Sequence, residues 1–187
     1  MKPKITEHFI VYDIETTGLN PERDSITQIS ALRVVDGKPI NDLFNVFVNI
    51  GVPVPPHITK LTGITDRLLQ SQGIPLYEAM SKLRSYCGAD TMVAHNGIPF
   101  DSKFLTQAGR KAGICIGNKQ FDSLIWARKL LPNEPHSLNA LVKRFGIRQR
   151  DSHRAQNDVL MLVDVIECLR MEQQRQSALL QTSLFIP

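Results

Sequence analysis

Asp13 and Glu15 stand two positions apart in YDIETTGL, where a short apolar run gives way to polar residues. Side chains alternate across a strand with a period of two, so both carboxylates point to the same side. Such neighbours repel each other unless a cation lies between them. Alone, the pair reads equally well as a solvated strand end. Asp101 follows a second apolar run, in VAHNGIPFD, and Asp158 falls in the first turns of the last helical stretch, in DSHRAQNDVLML. Either one alone is read first as a helix cap or dipole partner. Acids at the end of one strand, just beyond another and on a helix can nevertheless converge on the crevice that open α/β sheets use for ligands. Four oxygen donors suit hard divalent cations, Mg²⁺ or Mn²⁺, and not zinc. Two such ions ~3.5–4 Å apart can hold the attacking and leaving oxygens of an in-line phosphoryl displacement. His153 lies at the mouth of the helix that carries Asp158. A histidine there titrates near neutrality and suits proton removal from water; its plainer reading is a surface residue.

The elements that must position these groups follow from pattern. Residues 8–13, 26–35 and 43–50 read as strands, and Phe44, Val46, Val48 and Ile50 share one face of the third, opposite Asn45 and Asn49. Asp36-Gly37 between the last two is a hairpin signal, which predicts antiparallel pairing. A proline-rich connection, VPVPPH, leads into residues 57–70. A helix begins near Leu76, with Met80, Leu83 and Cys87 on one stripe and Gly88 as its stop. Residues 91–95 read as a buried strand, 99–112 as a helix and 119–122 as a short strand. Two helices follow near 123–131 and 137–145. The last helix starts near 153, with Val159, Leu162, Val163, Ile166 and Leu169 as its apolar stripe. Three strands and then strands alternating with helices describe an α/β sandwich around a mixed sheet of about five strands.

The 187 residues are 42% hydrophobic and 21% charged, with a formal net charge of +4. That balance fits one globular domain and permits a polyanionic partner without requiring one. Cys87, Cys115 and Cys168 lie far apart without CxxC spacing, which predicts thiols in a reducing compartment. No signal peptide or bilayer-spanning run is visible, so a cytoplasmic protein with no membrane association is expected.

At the acids the sequence resembles the DEDDh exonucleases of the DnaQ-like group, within the RNase H-like superfamily. The first motif is matched by Asp13-Ile14-Glu15-Thr16-Thr17-Gly18-Leu19, the second by His95-Asn96 and Phe100-Asp101, and the third by His153-Arg154-Ala155 and Asp158. Gln28-Ile29, Leu61-Thr62-Gly63-Ile64-Thr65, Phe121-Asp122 and residues 136–147 add weaker similarity. The resemblance covers roughly residues 8–170 and implies an RNase H-like three-layer sandwich and metal-dependent 3′→5′ exonuclease activity. It implies that Asp13, Glu15 and Asp158 hold one divalent ion, that Asp13 bridges to a second with Asp101 on that side, and that His153 is the general base. It also implies that Thr16, Thr17 and Leu19 lie against the terminal nucleotide, with Leu61 near its base, Asn96 near its sugar or phosphate, and Phe100 in the same segment. Three residues, Gly97-Ile98-Pro99, separate HN from FD. The epsilon (proofreading) subunit pattern has two there, and this spacing looks more like the TREX group.

Lys143, Arg144, Arg148, Arg150 and Arg154 cluster around the third motif, placing positive charge where a phosphodiester backbone would approach. After Leu169 the composition shifts to MEQQRQSALLQTSLFIP. We divide the chain into an exonuclease domain at 1–172 and a tail at 173–187. In the tail, Gln181, Ser183, Leu184 and Phe185 match the QxSLF motif by which bacterial replication proteins bind the β sliding clamp, so that clamp or a replicative polymerase is an expected partner. The expected substrate is a single-stranded or frayed DNA 3′ end, released as nucleoside 5′-monophosphates in proofreading, repair or end trimming. The alternative is an exoribonuclease of the oligoribonuclease or RNase T kind. A catalytically silent binding subunit is the rival from another class, and the intact set of four acids and His153 argues against it.

Overall fold

The computed structural model describes residues 5–183. Its centre is a six-stranded mixed sheet in the order β4-β3-β2-β1-β5-β6. Strands β1 (Phe9–Thr16), β2 (Ile26–Val35) and β3 (Lys38–Val48) form an antiparallel meander. Asp36 and Gly37 both take positive φ, 51° and 76°, the backbone that a tight two-residue hairpin turn requires. On the other side of β1, strands β5 (Thr91–Ala94) and β6 (Gln120–Asp122) run parallel to it. The C-terminal ends of β1 and β5 therefore open on the same edge, where Asp13, Glu15 and Asp101 were expected to meet.

Both sheet faces are covered. Helix α7 (Ala155–Ser183) lies across one, burying Val159, Met161, Leu162, Val163, Val165, Ile166 and Leu169 against Phe9, Val11, Leu32 and Val34. Fully burying one such aliphatic side chain is worth roughly 1.5–3 kcal/mol, so packing more than helix propensity holds α7 in place. Helices α5 (Ser123–Leu130) and α6 (Leu138–Arg144) belong to the same layer. Helices α3 (Leu76–Cys87) and α4 (Asp101–Ala112) cover the opposite face, with Met80, Leu83, Phe104 and Leu105 against Ile10, Tyr12, Ile29 and Met92. This is the expected three-layer sandwich.

Two stretches add to the sequence reading. Residues 57–70 hold two short helices, α1 (Pro56–Thr62) and α2 (Asp66–Gln72), followed by the two-residue β4 (Gly73–Ile74), which adds a sixth strand. Proline opens α1, and Gly63 ends it with a left-handed φ of 73°. Their small core of Val54, Ile58, Ile64 and Leu69 packs beside Phe47 and Ile50. Helix α7 continues through Ser183, past the composition shift after Leu169 and past the domain boundary placed at 172/173. There Trp126 Nε1 donates to Gln173 Oε1 at 2.9 Å and Gln176 Nε2 donates to the Leu130 carbonyl at 2.9 Å, binding the helix to α5.

Candidate active site

Strand β1 sets Asp13 and Glu15 on the face that α7 covers, and the first turn of α7 brings Asp158 to them. Ligand atoms of Asp13, Glu15 and Asp158 all lie within 4.8 Å of one another. Asp101, in the first turn of α4, is 5% exposed and stands beside this trio. Burial pushes Asp13 well above the usual carboxylate range, and the charges of Asp101, Asp158 and Glu15 push it further. Burial raises Glu15 to about 8, with Asp158 and Asp101 adding to the rise. Asp101 is raised to about 7, chiefly by burial, while the backbone N–H groups of Asp101 and Ile14 pull the other way. Asp158 is also raised by burial, against the opposing backbone N–H of His153. The four acids form one electrostatic unit, and among the described residues no Lys or Arg forms an ion pair with any of them. Oxygen donors that resist ionising together suit a hard divalent cation, whose charge would remove the repulsion.

His153 is held by its backbone. Its N–H donates to Asp158 Oδ2 at 2.9 Å, and its φ of 60° is a left-handed conformation uncommon for a residue with a side chain. Asn157 Nδ2 donates to the Asp151 carbonyl at 3.0 Å and Ser152 Oγ to Asn139 Oδ1 at 2.9 Å, closing the loop ahead of α7. The imidazole is exposed and makes no hydrogen bond to a described residue. The loop that carries His153 is thus tied through its backbone to Asp158 in the first turn of α7.

The expected substrate contacts are distributed unevenly. Thr16 Oγ1 donates to the Gly18 carbonyl at 2.6 Å, and Thr17 Oγ1 accepts the Ser25 N–H at 2.9 Å, so both hydroxyls stabilise the turn after β1. A Cβ at Gly18 would sit 2.4 Å from Asp24 Oδ2, so the Asp24 carboxylate would have to move to admit another residue there. At its tip Leu19 is 85% exposed, and Leu61 on α1 is 51% exposed. Asn96 is exposed with φ 66°. Phe100 packs on Phe104 with ring centroids 5.0 Å apart, as part of the core below α4. In the basic cluster Arg144 pairs with Glu134, and the Arg154 guanidinium lies over Gly63, spanning from the His153 loop to the end of α1. Gln181 is exposed on α7; Ser183 is the last residue of that helix, and Leu184 and Phe185 lie outside the described residues.

Polar residues behind the acids went unassigned in the sequence. Ser30 is the register partner of Asp13, and Gln28 that of Glu15. Asn45 Oδ1 accepts from Gln28 Nε2 at 2.8 Å and from Ser30 Oγ at 2.6 Å, which continues the polar row into β3. His95 bridges Ser123 Oγ at 2.9 Å and the His136 carbonyl at 2.7 Å. The alternation of Gln28 and Ser30 was the available signal, since polar residues inside an apolar strand imply partners on the next strand.

Fold and site together define a nuclease-type α/β sandwich with its acids in the DEDDh order. The exonuclease family model of the RNase T type matches residues 10–166, and the chain belongs to that family. The PolC-type DNA polymerase III of Bacillus cereus is 37% identical over 171 residues, covering 86% of this chain and 12% of that protein. Its Clostridium perfringens counterpart is 33% identical over 162 residues, 86% of this chain and 11% of the other. The chain therefore spans about a tenth of the length of these relatives. Escherichia coli Exonuclease I in complex with a dT13 oligonucleotide superposes with a TM-score of 0.82 at 21% identity, over 95% of this chain and 44% of that one. Exonuclease I of Methylocaldum szegediense gives 0.78 at 22% identity, over 90% and 41%. No helix among the described residues is long and apolar enough to cross a membrane.

Proposed function

We propose that this chain is a metal-dependent 3′→5′ exonuclease that removes nucleotides from single-stranded or frayed DNA 3′ ends. The observation that carries the reading is the convergence of Asp13, Glu15 and Asp158 within 4.8 Å beside buried Asp101, with His153 on the loop that Asp158 holds. The PolC-type relatives are DNA polymerases by name, and the E. coli structure contains a thymidine oligonucleotide, which favours DNA over RNA. Two ions, Mg²⁺ or Mn²⁺, would be held by Asp13, Glu15 and Asp158 on one side and by Asp13 and Asp101 on the other. Bound there, they supply positive charge against the phosphate and its leaving oxygen. His153 accepts a proton from the attacking water at a ring nitrogen. The water oxygen bonds to phosphorus as the P–O3′ bond breaks, which leaves a 3′-hydroxyl on the shortened strand and releases a nucleoside 5′-monophosphate. Leu19 and Leu61 offer exposed apolar surface to the terminal nucleotide. Asn96 is assigned to its sugar or phosphate by the family resemblance, and the positive charge of Lys143, Arg148, Arg150 and Arg154 around the third motif would favour approach of the phosphodiester chain.

Digestion of matched 5′-labelled single-stranded DNA, duplex DNA and RNA with Mg²⁺ tests this proposal. The expected result is a ladder of products shortened from the 3′ end, fastest on single-stranded DNA. Preference for RNA would assign the site to exoribonuclease work, and absence of cleavage would remove the enzymatic reading. The tail is proposed as a tether to the bacterial sliding clamp, on the strength of the QTSLF match alone. Replacing Leu184 and Phe185 with Ala should abolish capture by the clamp, and unchanged capture would dismiss the tether.

A further inference from the structure

We propose that Asp122 is a positioning residue that fixes the backbone between His95 and Asp101 and so sets where the Asp101 carboxylate stands. The inference rests on the exonuclease reading for its consequence, but its geometry is independent of that reading. Asp122 ends β6 and pairs in parallel register with Ala94, the last residue of β5. It is 6% exposed and its carboxylate accepts three backbone N–H groups. Oδ1 takes Leu124 N–H at 2.9 Å, which caps α5. The same oxygen takes Asn96 N–H at 3.0 Å, and Oδ2 takes Ile98 N–H at 3.2 Å. One side chain thus joins the start of a helix to a loop 24–26 residues earlier.

That loop has little freedom left. Asn96 sits in the left-handed region, and Gly97 packs so closely that a Cβ would lie 2.4 Å from the Ala94 Cβ and 3.5 Å from the Tyr12 hydroxyl. The Gly97 carbonyl accepts Ser102 N–H at 2.9 Å, and the Ile98 carbonyl accepts Ser102 Oγ at 2.7 Å. Phe100, at the N-cap of α4, makes no side-chain cap, so these loop carbonyls fasten the start of the helix that carries Asp101. The chain of contacts runs from the Asp122 carboxylate through the amides of Asn96 and Ile98 to the Gly97 and Ile98 carbonyls and then to Ser102 beside Asp101. A shift of about 1 Å in a reacting constellation can cost about 10²-fold in rate, so a loop fixed at both ends by hydrogen bonds matters to function.

Asp122→Asn separates positioning from capping. Asparagine is as good an N-cap as aspartate, and its oxygen can keep Leu124 and Asn96. Its amide would then turn an N–H toward the Ile98 N–H, donor against donor, so the Ile98 contact is lost while the helix cap stays; the substitution also removes the negative charge that Asp122 directs at Asp101. Three readouts on the full chain decide the matter: the melting temperature in chelator, Mn²⁺ binding without DNA by titration calorimetry, and kcat and KM on single-stranded DNA. We expect a melting temperature within a few degrees of wild type, Mn²⁺ binding and kcat each weakened by roughly 10–100-fold, and a KM for DNA that is little changed. Asp122→Ser, which keeps the helix cap but is too short to span both amides, should be at least as impaired. Wild-type Mn²⁺ binding and kcat in Asp122→Asn would overturn the proposal. So would losses that appear only alongside a collapsed melting temperature, since Asp122 would then be a cap and nothing more. If the wild type cuts no nucleic acid, the exonuclease reading fails separately, and the Mn²⁺ comparison still decides the role of Asp122.

Discussion

The two halves of the acidic cluster are built differently. Asp13 and Glu15 stand on the central strand of the sheet, flanked by β2 and β5, with Gln28, Ser30 and Asn45 hydrogen-bonded in the row behind them. His153 and Asp158 stand where an exposed loop enters α7, in a left-handed turn held by the Asp158 carboxylate. The first half gains its precision from the sheet and pays for it in desolvation, which raises both acids. The second half keeps an accessible imidazole at the cost of backbone strain of order 1–3 kcal/mol. A group that must exchange protons with water needs access, whereas acids that must face a cation need fixed spacing. The contrast therefore sets a strand that fixes two acids against a loop that leaves an imidazole open to water, with Asp158 joining the two.

Substitutions can test this division. Asp13→Ala removes the acid shared by both proposed ion sites and should abolish nuclease activity together with Mn²⁺ binding. His153→Ala should lower kcat by roughly 10²–10⁴-fold while Mn²⁺ binding stays close to wild type. A parallel loss of binding would show that the two halves are not separable. Asn45→Ala leaves the Gln28 amide and Ser30 hydroxyl without their acceptor, costing about 1–3 kcal/mol of stability by denaturant titration, with a smaller loss of activity than in His153→Ala. An unchanged midpoint would mean that the polar row is not a brace.

The smallest effect is a pH dependence of the metal-free protein. Glu15 is raised from 4.5 to about 8, so the folded state binds more protons than the unfolded chain between those values. Its contribution is fully present below about 4.5 and is lost as pH rises through about 8. The melting temperature in chelator should fall across that window, the fall should be shallower in Glu15→Gln, and a divalent cation should oppose it most at the alkaline end. Identical slopes for wild type and Glu15→Gln would remove Glu15 as a source of the effect.

Much of this comparison was legible in the sequence, and the reasons are physical. Period-two alternation put Asp13 and Glu15 on one face, Asp36-Gly37 announced the hairpin, and the stripe from Val159 to Leu169 located the face of α7. Short elements were not legible: α1 and α2 are seven residues each, too short to display a period, and β4 has two. Hydrogen bonds between residues distant in sequence were hidden as well. Nothing in the order of residues says that Asp122 holds Asn96 and Ile98, or that the Thr16 and Thr17 hydroxyls are occupied by their own turn. Phe100 stands next to an acid in sequence, yet its ring packs on Phe104 beneath α4. The left-handed φ of His153 likewise has no signature in residue type, since glycine or asparagine would be the expected occupant.

On the function proposed above, the Asp13, Glu15, Asp101 and Asp158 cluster cleaves DNA from its 3′ end with a divalent cation. Its most direct test is time-resolved digestion of a 5′-labelled single-stranded oligonucleotide by wild type and Asp13→Ala, each with Mg²⁺ and with chelator. Stepwise shortening from the 3′ end is expected for wild type with Mg²⁺ alone, with intact substrate in the other three reactions. Cleavage by folded Asp13→Ala at the wild-type rate, or cleavage undiminished by chelator, would contradict it.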